Sequence, residues 1–286
     1  MQILFKWGKR IGQMKVNKKW IAVLSLAFLV VIGLAGCGKK SDNSLQQIKD
    51  KGVLTMGTTA DYAPFEFTIM KNGKKEYVGY DIMVAQKIAD SLGVKLKVQN
   101  MEFSSIISEL QNHKIDIALA GMNVTPQRKK AVDFSKPYYT EQEALLVKKA
   151  DADKYNTVAD TKNASFGVQQ SSTQETIAKT QTKAKLVSES LVTGLATDLK
   201  SGKLDGVVLA KKVAEQYVAQ YPDTYAIAKV KITAPASMKE ISIAIPKNEP
   251  KLKAAINKEI TKLQKSGELD KLFKRAQEIQ NQNTNK

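Results

Sequence analysis

Apolar and polar positions along the chain fall into two rhythms. Val53 to Thr58 (VLTMGT), Lys95 to Gln99, Ile115 to Ala120 (IDIALA), Ser165 to Gln170 (SFGVQQ) and Ile241 to Pro246 (ISIAIP) read as strands. Between them, apolar residues recur at helical spacing. Ile82, Ala85, Ile88, Ala89 and Leu92 share one face behind Asp81 as N-cap, and Ile106, Ile107 and Leu110 make a shorter stripe. Leu252, Ile256, Ile260 and Leu263 line a helix from Glu249 to Ser266 that Gly267 ends. A last helix starts at Leu269 with Leu272 and Phe273, and the polar stretch Asn281 to Lys286 is expected to be disordered. The alternation predicts an α/β protein, and 286 residues suit two lobes better than one core.

A weak internal duplication supports two lobes. Glu109 to Ala120 (ELQNHKIDIALA) and Asp198 to Leu209 (DLKSGKLDGVVL) share a helix end, a turn, Lys, an apolar residue, Asp and a strand. In that register Ala210 takes the place of Gly121, so each lobe contributes a strand end to a shared cleft.

The N-terminal segment changes the reading of location. Trp20 to Ala35 is an apolar run behind several lysines, too short to span a bilayer comfortably, and reads as the core of an export signal. Leu34-Ala35-Gly36-Cys37 resembles the lipobox of bacterial lipoproteins, which implies that residues 1–36 are removed and that Cys37, the single cysteine, is lipidated. Met14 also offers a start with its own basic segment, and residues 37–44 form a polar tether. The formal charge is +17, but Lys6, Lys9, Arg10, Lys15, Lys18 and Lys19 all precede Cys37. The remaining positive charges are scattered among acids, which suits a surface near an anionic envelope and argues against a nucleic-acid groove.

The chemistry concentrates in Gly121 to Tyr139, GMNVTPQRKKAVDFSKPYY. Thr125 and Pro126 form a helix-start signal that places Arg128 in the first turn, just beyond a strand end. Ligands of open α/β sheets bind there, and a guanidinium can grip a carboxylate with two parallel hydrogen bonds. Gly121, Asn123 and Arg128 thus make a seat for a small carboxylate. His113, the only histidine, lies in a turn without metal-ligand neighbours.

This stretch resembles the G-x-x-x-T-x-x-R and F-S-x-P-Y-Y strings of the glutamine-, histidine- and arginine-binding proteins of bacterial polar amino acid uptake, and residues 45 to 278 follow that family's order. The resemblance implies a type II periplasmic-binding-protein fold, two α/β lobes joined by a two-crossing hinge. Lobe 1 would comprise 45–139 and 241–286, and lobe 2 would comprise 140–240, with crossings at Tyr138 to Glu143 and Pro235 to Glu240. By the same resemblance Tyr62 and Phe103 flank the ligand side chain, while Phe65 and Phe67 pack beneath the loop. Gln169, Ser172 and Thr173 would close over the carboxylate from the second lobe, although helix capping explains the hydroxyls equally well. Ser171 stands where the family has glycine. The family's acid after the strand, which pairs with the ligand's ammonium, is replaced by Ala210; either another group stands in, with Asp61, Glu66 and Glu141 as the candidates, or the ligand lacks the usual amine. The implied function is capture of a polar amino acid, or a close carboxylate analogue, for the permease subunits of an ABC importer. The protein would be a monomer, lipid-anchored outside the cell, with no cofactor and no nucleic-acid partner. The rivals are a dehydratase of the cyclohexadienyl type, which needs a converging acid and base, and a surface sensor.

Overall fold

A computed structural model describes residues 43–284. The export segment, Cys37 and the tether up to Asp42 fall outside the described residues. The first half runs α1 (Ser44–Lys51), β1 (Val53–Thr58), β2 (Asp61–Tyr62), β3 (Glu66–Lys71), β4 (Lys74–Val78), α2 (Tyr80–Leu92), β5 (Lys95–Asn100), α3 (Ile106–Gln111), β6 (Ile117–Ala118), α4 (Pro126–Ala131) and β7 (Asp133–Thr140). The second half continues with β8 (Glu143–Lys148), β9 (Ser165–Gln169), α5 (Thr173–Gln181), β10 (Lys185–Glu189), α6 (Val192–Ser201), β11 (Gly206–Ala210), α7 (Lys211–Gln220) and β12 (Tyr225–Ile227). Then β13 (Glu240–Ile245), α8 (Pro250–Lys265) and α9 (Glu268–Thr284) complete it.

Two five-stranded sheets result, in the orders β5-β1-β6-β13-β7 and β10-β9-β11-β8-β12, with a small β2-β3-β4 sheet beside the first. β13 therefore returns to the sheet where the chain began. Its Ile241, Ile243 and Ile245 are fully buried, as are Leu252, Ile256 and Ile260 of α8. Burying each such side chain stabilises by roughly 1.5–3 kcal/mol, which is why the predicted stripe of α8 docks against β7 and α2. The chain passes between sheets at Thr140–Glu143 and again before Glu240, and Glu141 N–H to Lys239 O at 2.9 Å ties the two crossings together.

The duplication is visible as a repeated lock. Asp116 Oδ2 accepts the Thr55 N–H at 2.7 Å, and Asp205 Oδ2 accepts the Ser165 N–H at 2.9 Å. In both sheets an acid in the turn pins the start of a neighbouring parallel strand.

Three expectations change. Asp81 does not cap α2: the helix begins at Tyr80 behind Gly79, whose φ of 128° and close pass over Phe65 O leave no room for a Cβ. Of the expected strand Ile115–Ala120, only Ile117–Ala118 counts as strand, because β13 meets it at the single pair Ala244 and Ala118. Its bonds to the β1 side still extend from Asp116 N to Leu119 N. The C-terminal stretch is not free, since α9 continues to Thr284 and Asn281 Oδ1 accepts from Gln216 Nε2 at 2.8 Å.

Candidate functional site

Arg128 is placed by local chemistry. Thr125 Oγ1 accepts the Arg128 N–H at 3.1 Å, capping α4, and Pro126 occupies the first helical position. The side chain then folds back, so that Nη1 donates to Asn123 O at 2.8 Å and Cζ lies 5.0 Å from the centre of the Phe103 ring. Nη2 donates to Ser171 O at 3.0 Å. Ser171 follows β9, so the guanidinium points from one lobe onto the other. Burial lowers its pKa to about 10, still well above neutral pH. Among the described residues no carboxylate pairs with it.

Gly121 has a φ of 54°, and a Cβ there would lie 3.2 Å from the Tyr62 ring. Glycine thus lets the aromatic lie against the backbone beyond the strand. Its N–H donates to Asp81 Oδ2 at 2.9 Å, while Asp81 Oδ1 accepts from Tyr138 Oη at 2.9 Å. Asp81 therefore fixes the loop that carries Asn123 and Arg128. Burial raises its pKa to about 6, with those two bonds opposing.

Tyr62 and Phe103 are both buried. Tyr62 stacks on Phe65 at 5.9 Å, and its Oη accepts the Ala210 N–H at 3.1 Å, a second link between lobes. A third joins Asp61 Oδ2 to the Val192 N–H at 2.7 Å. Phe65 and Phe67 are buried, as expected of packing residues.

From the other lobe, Ser172 Oγ accepts the Glu175 N–H at 3.0 Å and Glu175 Oε2 accepts the Ser171 N–H at 2.8 Å. Ser171 holds a φ of 63°, the left-handed conformation that glycine adopts without strain. Thr173 is buried, and its Oγ1 has no hydrogen-bond partner among the described residues. Gln169 is turned within its own lobe, with Nε2 donating to Ser190 O at 3.2 Å. The structure thus gathers Tyr62, Phe103, Gly121, Asn123, Arg128, Ser172 and Thr173 where the lobes meet, and leaves Gln169 engaged elsewhere. Three surface hollows are lined by none of Tyr62, Phe103, Arg128 or Ser172, and one of them reaches Glu143.

The three candidate stand-in acids all lie in this region. Thr59 Oγ1 donates to Glu66 Oε1 at 3.2 Å, and burial first, then the charges of Asp81 and Asp61, push the Glu66 pKa well above the usual range. Glu141 is pushed up by burial and then by Glu143, and burial raises Glu143 to about 7 against the bond from Gln174. Gln174 Nε2 spans the two, 3.4 Å from Glu141 Oε1 and 3.1 Å from Glu143 Oε2. Sequence reasoning passed over Glu143 and Gln174. The acid-rich hinge TEQE was the available signal, but only strand register shows where Glu143 points. No group of acids, histidines or cysteines that could hold a metal ion occurs among the described residues.

The model of the bacterial extracellular solute-binding proteins, family 3, matches residues 54–277. The chain is 32% identical over 262 residues to the arginine-binding extracellular protein ArtP of Bacillus subtilis (strain 168), covering 90% of this chain and 97% of the relative. Among solved structures it resembles the amino acid ABC transporter substrate-binding protein AbpA from Streptococcus pneumoniae bound to L-arginine, with 39% identity and a TM-score of 0.78, covering 82% of this chain and 98% of that one. It also resembles the ancestral amino acid-binding protein AncCDT-1, a precursor of cyclohexadienyl dehydratase, with 35% identity and a TM-score of 0.74 over 81% of this chain and 98% of that one. These relatives are binding proteins rather than enzymes, and they share the type II periplasmic-binding fold of two α/β lobes. The chain belongs to the bacterial extracellular solute-binding proteins, family 3.

Proposed function

We propose that the protein captures a polar or cationic α-amino acid between its lobes and delivers it to the permease subunits of an ABC importer. The observation that carries this reading is Arg128: a charged guanidinium, unpaired with any described carboxylate, reaching across to Ser171 O at 3.0 Å. A ligand carboxylate entering there would exchange neutral carbonyl partners for a charged one. Tyr62 and Phe103 flank the ligand side chain, Asn123, Ser172 and Thr173 supply neutral hydrogen bonds, and Gln169 contributes by holding Ser190. Only the closed form offers both halves of this set, so binding favours closure. Arginine-bound relatives support a cationic amino acid.

Residues 1–36 act as an export signal, Cys37 carries the lipid, 37–44 tether a monomeric body outside the membrane, and lobes 45–139 with 241–286 and 140–240 swing on the two crossings. Replacing Cys37 with Ser should abolish palmitate labelling in the native host, and retained label overturns the anchor.

The test of binding is a thermal-shift screen over the twenty L-amino acids. A ligand at a hundred times its Kd stabilises by about 2.7 kcal/mol, a rise of roughly 5–10 °C for a protein of this size. A screen in which no amino acid raises the melting temperature refutes the function.

A further inference from the structure

The crossing from the first sheet to the second carries two buried acids whose carboxylates have Gln174 as their one hydrogen-bond partner among the described residues. Glu141 is 2% exposed and Glu143 is 8% exposed, yet Glu141 Oε2 and Glu143 Oε1 have no hydrogen-bond partner among the described residues. Neither forms an ion pair there. Buried carboxylates are normally paired, because an uncompensated charge in a low-dielectric site is strongly unfavourable.

Two placements say what would pair with them. In the second sheet Ala210 is the direct cross-strand partner of Glu143. Side chains opposite each other in an antiparallel pair lie on the same face, with Cβ atoms about 5 Å apart. Glu143 thus shares the strand end of Ala210, whose N–H holds the Tyr62 hydroxyl, and the small Ala210 side chain leaves the acid uncrowded. The second placement runs through Asn123. Its carbonyl accepts from Arg128 Nη1, while its side chain is close enough to Glu141 to steady the carboxylate, though its Nδ2 stays beyond hydrogen-bonding distance of any described partner. One residue therefore separates the guanidinium from the acid pair. An α-amino acid carries its carboxylate and its ammonium on one carbon, so the seats for the two must lie side by side.

We propose that Glu143 and Glu141, held together by Gln174, seat the α-ammonium group of the ligand whose carboxylate Arg128 holds. This rests on the function proposed above. Asp61 Oδ1 and Glu66 Oε2 also lack a described partner, but Asp61 Oδ2 already holds the Val192 N–H, Glu66 accepts from Thr59, and Asp81 is engaged by Gly121 and Tyr138. The upward pKa shifts of the hinge pair agree with two acids awaiting a cation. No covalent step is involved: a proton leaves the pair as the ammonium enters.

The test compares the full protein with Glu141→Gln, Glu143→Gln and the double variant by titration calorimetry. Glutamine keeps the shape and the hydrogen-bonding reach, and a melting curve confirms that each variant folds. The probes are three L-amino acids, each with its analogue lacking only the α-amino group: arginine with δ-guanidinovalerate, lysine with ε-aminocaproate, and glutamine with glutaramate. Wild type should prefer an amino acid over its deaminated partner by about a hundredfold or more. In the double variant that preference should fall below about tenfold, with the affinity for the deaminated probe unchanged or higher. A preference that survives in the double variant overturns the assignment while leaving the proposed function standing. Wild type that binds none of the twenty L-amino acids overturns the function, and the assignment with it; where it binds one outside the three, that amino acid and its deaminated analogue become the probe pair, read by the same criteria.

Discussion

Replacing Arg128 with Ala removes a guanidinium that donates at 2.8 Å to Asn123 O and at 3.0 Å to Ser171 O, and that lies over Phe103. In the free protein both carbonyls are neutral acceptors, so folding should lose only about 1–2 kcal/mol. In the complex the loss is larger, because a ligand carboxylate would be desolvated between the lobes with no cation to meet it. Removing one partner of a buried ion pair costs about 3–5 kcal/mol. At 1.4 kcal/mol per tenfold, affinity should fall by roughly two to three and a half powers of ten. Lys at this position keeps the charge but not the planar fork and should fall between wild type and Ala. Titration calorimetry measures the affinities, with the amino acid that the thermal screen selects, and urea melts monitor folding. An Ala variant that folds normally and binds within about threefold of wild type would refute the role of Arg128.

Gly121→Ala forces a side chain onto a φ of 54° and within 3.2 Å of the Tyr62 ring; thermal melts should show a loss of about 1–2 kcal/mol together with weaker binding, and an unchanged protein counts against the close approach. Asp81→Ala leaves the Gly121 N–H and the Tyr138 hydroxyl without their acceptor. Urea denaturation should register a loss of about 2–4 kcal/mol, and a loss below about 0.5 kcal/mol contradicts it. Stability without ligand should decline as the pH rises from about 4 to 7, because Glu143, raised to about 7, and Asp81, raised to about 6, hold protons in the folded state that they release when unfolded. Each shift is worth at most about 3 kcal/mol. The Glu141→Gln, Glu143→Gln double variant should flatten that slope, and equal or greater wild-type stability at pH 8 refutes the argument.

What the sequence disclosed was chemistry acting within a few residues. The Thr125 cap, Pro126 at the first turn and the resulting aim of Arg128 are local events, and they were legible. So was the stripe of α8, since burial at helical spacing leaves its mark on the sequence. Ser171 marked an unusual backbone position because glycine was expected there. The failures were long-range. Asp81 looked like a cap for the helix beside it, yet its carboxylate serves Gly121, forty residues away. Glu143 became informative only through its pairing with Ala210, which no local pattern encodes. Asp61 was weighed as a ligand partner, and only the folded chain shows that one of its oxygens holds the start of α6 across the lobes.

The twin locks at Asp116 and Asp205 bear on how such a molecule can move. Each half fastens its own first parallel strand through one carboxylate and one amide, so neither sheet depends on the other for its register. Were the halves to part, neither fastening would break; the travel would fall on two short ribbons of chain, one of which carries Glu141 and Glu143. A charge arriving at that ribbon would act on the pivot itself, much as a finger placed on the spring of a pair of tweezers sets how firmly the tips close.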